Sequence, residues 1–270
     1  MQSVEPVAFT RLTGDYWQLW VMRPDGTGVK QLTTLLSDKR YPCWTQDGKH
    51  LLFRNNNNQA FILDPSTKEE QRILPSLGLI GSVVESPDGA KVLFVRFRTE
   101  LMDSSALWMT TIDEKERRVL TNEAGLQYDP AWSPDGKRIV YISGHGYQTH
   151  ELFIMDSDGK NKRQLTDNKA LELLPVFSSD GRTIAYVSDI TGDYEIWTMD
   201  VDGNNQQQLT NSNGIDTRPC WSPDGSRIIF VSNRSGEPQL WIMNRDGSNV
   251  RQLTTGQPCM DPAWKRETGR

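Results

Sequence analysis

Two histidines and a carboxylate lie close together in one stretch of the sequence. His145, His150 and Glu151 fall within a single short segment, and imidazole and carboxylate groups are common ligands of transition metals. The sequence contains one further histidine, His50, beside an Asp-Gly pair far from this segment. The three residues could begin a metal site, but decoration of a polar loop explains them more simply. We therefore expect no metal and no other cofactor.

A second group of closely spaced acids is Asp189, Asp193 and Glu195. Neighbouring carboxylates can act as general acid and base, although polar loop tips have the same composition. The Gly-x-Ser-x-Gly motif that carries a nucleophilic serine in hydrolases does not occur in the sequence. Because no complete catalytic set is present, we expect the protein not to be an enzyme.

Acidic turns recur along the chain and resemble part of a calcium-binding loop. Asp156–Gly159 reads Asp-Ser-Asp-Gly, and Asp200–Gly203 has a similar sequence. If the first glycine took its place in an EF-hand loop, Ile154 would stand at the first ligand position and Leu165 at the last, and neither can bind calcium. Asp-Gly pairs are also strong hairpin signals, so these segments predict turns between strands.

A repeat determines the elements that position all of these residues. The heptapeptide Pro130–Gly136, Pro-Ala-Trp-Ser-Pro-Asp-Gly, recurs almost unchanged at Pro219–Gly225, and weaker copies occur elsewhere. Its third position forms one column, and a second, aromatic column shares the same period, which indicates a repeated structural unit. The first column is Trp44, Glu85, Trp132, Phe177, Trp221 and Trp264, and the second is Trp20, Phe61, Trp108, Phe153, Trp197 and Trp241.

Each repeat has the pattern of four short strands separated by turn residues. In the fifth repeat we predict strands at Pro219–Ser222, Arg227–Ser232, Gln239–Asn244 and Val250–Thr254. Four strands in a period of about 40–45 residues are typical of a propeller blade.

The two ends of the sequence complement each other. The N-terminal segments Val7–Thr10, Gln18–Met22 and Val29–Thr33 predict the second, third and fourth strands of a blade, and Asp261–Trp264 predicts a first strand. We therefore predict an all-β, six-bladed β-propeller of four-stranded antiparallel blades, formed as one domain by residues 1–270. The C-terminal strand joins the N-terminal blade and closes the ring, which removes exposed sheet edges.

The motifs resemble those of the TolB-type β-propeller over nearly the whole chain. The resemblance rests on the Trp-Ser-Pro-Asp-Gly turns, the Trp-x-Met strands and the Gln-Leu-Thr endings at Gln31–Thr33, Gln164–Thr166, Gln208–Thr210 and Gln252–Thr254. It implies a non-enzymatic scaffold that binds a protein or peptide in the periplasm or after another form of export. No signal peptide is recognisable and no additional N-terminal TolB domain is present, so a cytoplasmic location is the alternative.

The same repeats also form the propellers of prolyl-oligopeptidase-like enzymes and of oligogalacturonate lyases, so the resemblance leaves a second function open. An enzyme acting on small polar substrates such as oligosaccharides at the channel mouth is the alternative to a scaffold. The lyases use a histidine-rich metal cluster, which three histidines divided between two faces cannot reproduce.

Charge and hydropathy exclude two classes of partner. The chain has 30 basic and 35 acidic residues, a formal net charge of −5, and the basic residues are scattered rather than gathered on one face as nucleic-acid binding requires. No apolar run approaches the ~20 residues that span a membrane as a helix. We expect a monomer that does not bind nucleic acid or insert into a membrane.

In a four-stranded meander, the Asp-Gly turns lie on one face of the ring, which we call the turn face. The loops between second and third strands and the connections between blades form the opposite, variable face, where sites are expected because loops carry function on a rigid scaffold. Mixed arginine and aromatic residues suit binding hot spots. The candidate contacts are Arg11, Asp15, Trp17, Arg40, Tyr41, Arg54, Arg96, Arg98, Tyr128, Asp129, His145, Tyr147, His150, Asp189, Tyr194, Asp216, Arg218, Arg234 and Asp261.

The surroundings of two kinds of residue in the first strands, the cysteines and Glu85, remain to be compared with the structure. Cys43, Cys220 and Cys259 enter the first strands of neighbouring blades, where they could form a thiol cluster or pack as small apolar side chains. Glu85 occupies a tryptophan position, and a lone buried carboxylate is costly. We expect Glu85 to have an arginine or lysine partner or to reach water.

Overall fold

The structure, a computed structural model, describes residues 5–78, 80–98, 103–144 and 149–266. These residues form twenty-four strands in six four-stranded antiparallel sheets, which confirms the six-bladed propeller. Within the same ranges there is no helix that could cross a membrane. In chain order the strands are β1 Val7–Thr13, β2 Tyr16–Met22, β3 Lys30–Gln31, β4 Lys39–Trp44, β5 Leu51–Asn55, β6 Ala60–Leu63, β7 Glu70–Arg72, β8 Ile80–Glu85, β9 Lys91–Phe97, β10 Ser105–Thr111, β11 Arg117–Val119, β12 Leu126–Trp132, β13 Arg138–Gly144, β14 His150–Asp156, β15 Arg163–Gln164, β16 Glu172–Phe177, β17 Thr183–Ser188, β18 Glu195–Asp200, β19 Gln207–Gln208, β20 Asp216–Trp221, β21 Arg227–Ser232, β22 Gln239–Asn244, β23 Arg251–Gln252 and β24 Cys259–Trp264.

The ring closes as predicted, because the last strand completes the blade begun by the first three. The sheet order of this sixth blade is β24-β1-β2-β3, with Val7 opposite Trp264 and Arg11 opposite Cys259. Blades one to five consist of β4–β7, β8–β11, β12–β15, β16–β19 and β20–β23. The first strands β8, β12, β16, β20, β24 and β4 contact one another in this order around the central channel, and β8 meets the first blade through β5.

Strand bounds differ from the prediction in a consistent way. First strands begin earlier, at Asp216 in the fifth blade, because pairing continues through a bulge on the N-terminal side of the proline. Fourth strands are shorter than predicted. In the fifth blade only Arg251–Gln252 pairs, because the amides of Leu253 and Thr254 both donate hydrogen bonds to the Leu240 carbonyl.

The core lies between adjacent blades, and the first column belongs to it. Trp132 and Trp221 are 5% and 8% exposed. Trp264 packs with Phe9 of its own blade and Ile229 of the preceding blade. In five of the six interblade clusters the column therefore supplies a large aromatic side chain, which confirms its predicted core role there.

The Ser-x-Asp-Gly turns are built from hydrogen bonds within each turn. Ser133 Oγ donates to Asp135 Oδ1 at 2.6 Å and accepts from the Arg138 amide at 2.9 Å. Gly136 has a φ of 68°, which most side chains adopt only with strain. Asp156–Gly159 and Asp200–Gly203 also form the predicted hairpin turns.

Glu85 is buried, and its partner is not the predicted cation. Its Oε2 accepts a hydrogen bond from the backbone amide of Gln46 at 2.7 Å. Burial raises the pKa of this carboxyl, and the Gln46 amide opposes the effect. Gln46 belongs to the turn of the preceding blade, so the Glu85 carboxylate binds the backbone of a neighbouring blade. Trp44, at the equivalent position of the first blade, does the same with its indole N–H, which donates to the Ala263 carbonyl.

Candidate binding site in the central channel

Five first strands bend at the same place, immediately before a proline. The bent residues have φ values of 47–56° and lie within register shifts of the strand pair. Proline has no N–H to contribute to the ladder, so a break in pairing costs least there. A non-glycine residue at positive φ is strained by ~1–3 kcal/mol, and functional sites are where such strain is usually retained. The residues are Tyr41, Asp129, Leu174, Arg218 and Asp261.

Asp261 is the centre of a buried ion cluster formed by three blades. Its Oδ2 accepts from Arg40 Nε at 2.9 Å and from Thr10 Oγ1 at 2.9 Å, and its Oδ1 lies 2.7 Å from Arg218 Nη1. Burial raises the pKa of this carboxyl, but Arg218 and Arg40 lower it by more, so the net effect is a lowered pKa. Asp261 is therefore a carboxylate with two cationic partners.

Tyr41 lies among three guanidinium groups at the variable-face end of the channel. Arg40, Arg54 and Arg218 lie 5.5, 4.6 and 5.1 Å from the centre of its ring. Cation–π contacts of this kind are attractive and hold a planar guanidinium over the ring face. Tyr41 itself is 37% exposed, so the cluster is open to a ligand.

Arg54 differs from the other two arginines. No ion pair of the described residues includes it, and its guanidinium makes one long hydrogen bond, from Nη1 to the Ile80 carbonyl at 3.4 Å. Burial lowers the pKa of Arg54, and Tyr41 and Asp261 oppose that effect. A largely buried guanidinium thus has unused donors.

Asp129 faces the same cluster from the third blade. Burial raises the pKa of its carboxyl, while Arg218 and the Leu174 amide oppose the effect. Beside it, the Tyr128 hydroxyl and His150 Nδ1 are 2.6 Å apart and their rings meet edge to face. Asp129 therefore keeps a proton to higher pH than an ordinary aspartate.

The structure brings eight of the predicted contacts together and separates others. The channel group consists of Trp17, whose ring stacks on Arg40 at 4.6 Å, with Arg40, Tyr41, Arg54, Tyr128, Asp129, Arg218 and Asp261. Arg96 stacks on Trp108 of the third strand, and Arg98 reaches Asn122. Because these two lie with Trp108 in a separate groove, Arg54, Arg96 and Arg98 do not form one patch.

The remaining predicted contacts have local roles. Arg11 donates to the Thr255 carbonyl, Asp189 accepts from the Leu171 amide, and Arg234 pairs with Asp216. The backbone carbonyl of Tyr194 accepts a hydrogen bond from the Asp216 amide, and Asp15 is exposed in the β1–β2 loop. His145 and Tyr147 lie outside the described residues.

The described members of the two catalytic or metal groups considered from sequence do not converge. His150 contacts Tyr128, whereas Glu151, the next residue in β14, accepts from the Asn168 amide, because successive side chains of a strand point to opposite faces. Glu195 is buried against Thr210 and Ser212 while Asp193 is exposed. The described residues contain no group of three or more His, Cys, Asp or Glu that could hold a metal.

Cys220 and Cys259 pack in the same apolar core cluster. Cys259 is fully buried in the apolar core and donates to the Gln257 carbonyl. Burial raises the pKa of Cys220 to about 11, and its sulfur accepts the Trp264 amide. All three thiols are free.

Two interblade sites with equivalent pairs of acids differ in whether an arginine accompanies the acids. Between the fourth and fifth blades, Glu195 and Asp216 are accompanied by Arg234, which pairs with Asp216. Between the third and fourth blades, Glu151 and Glu172 occupy the same positions, but Ile190 stands where Arg234 would be. Burial raises the pKa of Glu172 to about 7, and an Oε2 atom of each glutamate has no hydrogen-bond partner. Sequence reasoning missed this pair, although the register of the repeats contained the signal.

Exposed apolar residues on the variable face were also missed. Leu36 is 82% exposed and Leu35 is 58% exposed in the connection from β3 to β4, and Ile190 and Ile215 are about half exposed in other variable-face segments. Together with Tyr41 they give this face apolar and aromatic surface around a charged centre. Their signal was the presence of large aliphatic residues outside any strand pattern.

A family model described as the TolB beta propeller domain matches residues 60–206 and 190–268. The chain belongs to the TolB β-propeller family. Its fold is similar to that of TolB from Acinetobacter baumannii, with a TM-score of 0.82 and 20% identity over 97% of this chain and 67% of that one. A putative TolB from Agrobacterium tumefaciens gives 0.80 and 24%, over 96% and 92% of the two chains. At these identities the likeness shows fold alone.

Proteins named as enzymes also resemble this TolB-family propeller. The uncharacterized peptidase YuxL of Bacillus subtilis (strain 168) is 24% identical over 147 residues, which cover 53% of this chain and 21% of that protein. The chain thus spans about one fifth of the length of this curated relative. An oligogalacturonate lyase in complex with manganese has a TM-score of 0.64 at 18% identity, over 92% of this chain and 73% of that one. The fold therefore accommodates both scaffolds and enzymes.

Proposed function

We propose that this TolB-family propeller is a non-enzymatic scaffold that binds a protein or peptide at the variable-face mouth of its channel. The observation that carries the proposal is the composition of that mouth. Exposed Leu35 and Leu36 lie in the connection that leads into β4, the strand that carries Tyr41. Arginines stack on Tyr41 and on Trp17, and arginine and aromatic residues together with apolar surface are typical of binding hot spots. Family membership supports a periplasmic or otherwise exported location.

The experiment is site-specific photocrosslinking from two positions. A photoreactive residue at Leu36 should crosslink to a protein or peptide from a native extract, and peptide mapping by mass spectrometry should place the crosslink on one segment of that partner. The same residue at Ile112, which is 47% exposed in a turn-face hairpin, is the matched control. Equal crosslinking from both positions would contradict the proposal.

An enzyme acting on small polar substrates is the second candidate, and Asp129 is the observation that favours it. A carboxyl of raised pKa next to the Tyr128–His150 hydrogen bond could transfer protons at the channel wall. Turnover of an oligosaccharide or peptide library that is lost in Asp129→Asn, at unchanged thermal stability, would support this candidate over the scaffold. A library left unconverted by the wild-type protein would remove that support.

A further inference from the structure

We propose that Arg54 is the receptor for one carboxylate group, and that this group is an acidic side chain of a peptide segment entering the channel. The inference rests on the proposed function, which it extends by naming the chemistry of the bound segment. Its basis is the unequal pairing of charges around Tyr41.

The first step is the charge balance of the cluster. Asp261 serves both Arg40 and Arg218, which leaves Arg54 without a carboxylate partner among the described residues. The cluster also holds one buried donor, Arg218 Nε, and one buried acceptor, Asp261 Oδ1, without a hydrogen bond. Three guanidinium groups thus face two carboxyl groups, those of Asp261 and Asp129, so positive charge is in excess in a site where buried charges are normally paired.

The second step is the orientation of Arg54. Tyr41 covers one face of its guanidinium at 4.6 Å, which restricts the group without using its N–H donors. The planar edge of a guanidinium matches the two oxygens of a carboxylate. Because the one acceptor present, the Ile80 carbonyl, is at 3.4 Å, a carboxylate would gain donors that the protein has left nearly unused.

The third step is the neighbouring acid. Asp129 lies in the electrostatic environment of Arg54 and would repel a second carboxylate if it were ionised. Burial raises the pKa of the Asp129 carboxyl, which reduces the repulsion that an incoming carboxylate would meet. Replacing Asp129 with asparagine should therefore strengthen carboxylate binding.

The test is titration of the full chain with two short peptides, Ser-Gly-Glu-Gly-Ser and Ser-Gly-Gln-Gly-Ser, and binding is followed by NMR chemical-shift changes. Both peptides are acetylated at the N-terminus and amidated at the C-terminus, so that the glutamate side chain is the one carboxylate that distinguishes them. We expect the glutamate peptide to bind roughly 10- to 100-fold more tightly, as charge-assisted hydrogen bonds imply. Arg54→Met should abolish this difference, and Asp129→Asn should increase the affinity for the glutamate peptide. Arg251→Met, which removes an exposed arginine of the fourth strand, should behave as the wild type.

Several outcomes would overturn the inference. They are equal binding of the two peptides, unchanged binding by Arg54→Met, or Arg54-dependent binding of galacturonate oligomers without binding of the acidic peptide. If Arg54→Met does not fold, Arg54→Lys keeps the charge without the planar fork and should bind the glutamate peptide several-fold more weakly. Crosslinking from Leu36 that persists in Arg54→Met, together with unchanged peptide affinity, would reject the receptor role but keep the scaffold. Peptide binding that depends on Arg54, without crosslinking from Leu36, would keep the receptor role and reject the scaffold.

Discussion

Arg218 and Asp261 join the first strand of the fifth blade to the strand that closes the ring, with Nη1 and Oδ1 2.7 Å apart. Arg40 of the first blade binds the same carboxylate from the other side. The ion pair therefore connects three consecutive blades at the point where the two ends of the chain meet. Its partners also support Tyr41, so channel geometry and ring closure depend on the same atoms.

Asp261→Ala should destabilise the protein by about 3–5 kcal/mol, because it leaves two guanidinium groups without their buried partner. Urea denaturation measures the loss, and Glu237→Ala, an exposed loop residue, should change stability by less than about 0.5 kcal/mol. Since the pKa of Asp261 is lowered in the folded protein, its stabilisation is present above the ordinary aspartate range and is lost as the pH falls through the folded-state value. The difference between wild type and variant should accordingly shrink in acid.

Glu172 should make stability fall as the pH rises from about 4.5 to about 7. Its pKa is raised to about 7 from an ordinary value of 4.5, so the folded state holds a proton that the unfolded state releases, and the stabilising effect of that proton is lost over this range. The difference corresponds to about 3 kcal/mol as an upper limit. Glu172→Gln should remove most of this pH dependence and should be more stable than the wild type at pH 8.

Asp216→Asn is the matched control for Glu172, since it occupies the equivalent position one blade further on and has Arg234 as its partner. It should destabilise the protein at pH 8, because it leaves Arg234 without its buried carboxylate. Thermal melts of both variants at pH 5 and pH 8 make the comparison. A stabilised Asp216→Asn at pH 8 would show that the arginine is not what distinguishes the two sites.

Trp132→Ala should cost ~3–5 kcal/mol, because it removes a large buried side chain from an interface between blades. Trp132 is 5% exposed, so little of this surface is available to water in the folded state. Val29→Ala, at a residue 42% exposed in the sixth blade, should stay within about 0.5 kcal/mol. A loss below 1 kcal/mol for Trp132→Ala in denaturant titration would contradict its core role.

Removal of residues 261–270 should cause severe destabilisation or aggregation, because it exposes the edge of β1. A circular permutant that places the segment of β24 directly before β1, through a short linker, should restore stability. The geometry favours such a linker, since the Lys265 amide already donates to the Pro6 carbonyl at 2.9 Å. A truncated chain that melts like the full chain would refute closure by β24.

The fold could be predicted because the repeat encodes it several times. Trp132 and Trp221 stand at the same place in their blades, and the Ser-x-Asp-Gly turns fix the strand ends around them. Apart from the strand bounds, the errors concern places where a single blade departs from the repeat. Glu85 takes a backbone amide of a neighbouring blade as its partner, and sequence alone does not show which backbone groups of another blade are within reach.

The candidate site could be predicted only in part. Arg40, Tyr41 and Arg218 were expected on the variable face, but their convergence on Asp261 depends on how three first strands bend into the channel. Arg96 was expected among the same candidate contacts as Arg54, yet its side chain stacks on Trp108 in a separate groove. Position on a face follows from strand order, whereas contact between blades requires the closed ring.

At the bend before the proline of these five first strands, the backbone sets the direction of the side chain but does not restrict its chemical type. Tyrosine, aspartate, leucine and arginine all occupy this position with φ values of 47–56°, so the backbone accepts an aromatic, an acid, an aliphatic or a base there. Arg218 and Asp261 are tied to ring closure by their ion pair, but substitutions at Tyr41, Asp129 and Leu174 can change what the channel recognises while that pair stays in place. Propellers with nearly identical blades could diverge in ligand preference through these three residues, and an engineered series at these positions would sample new specificities on one scaffold.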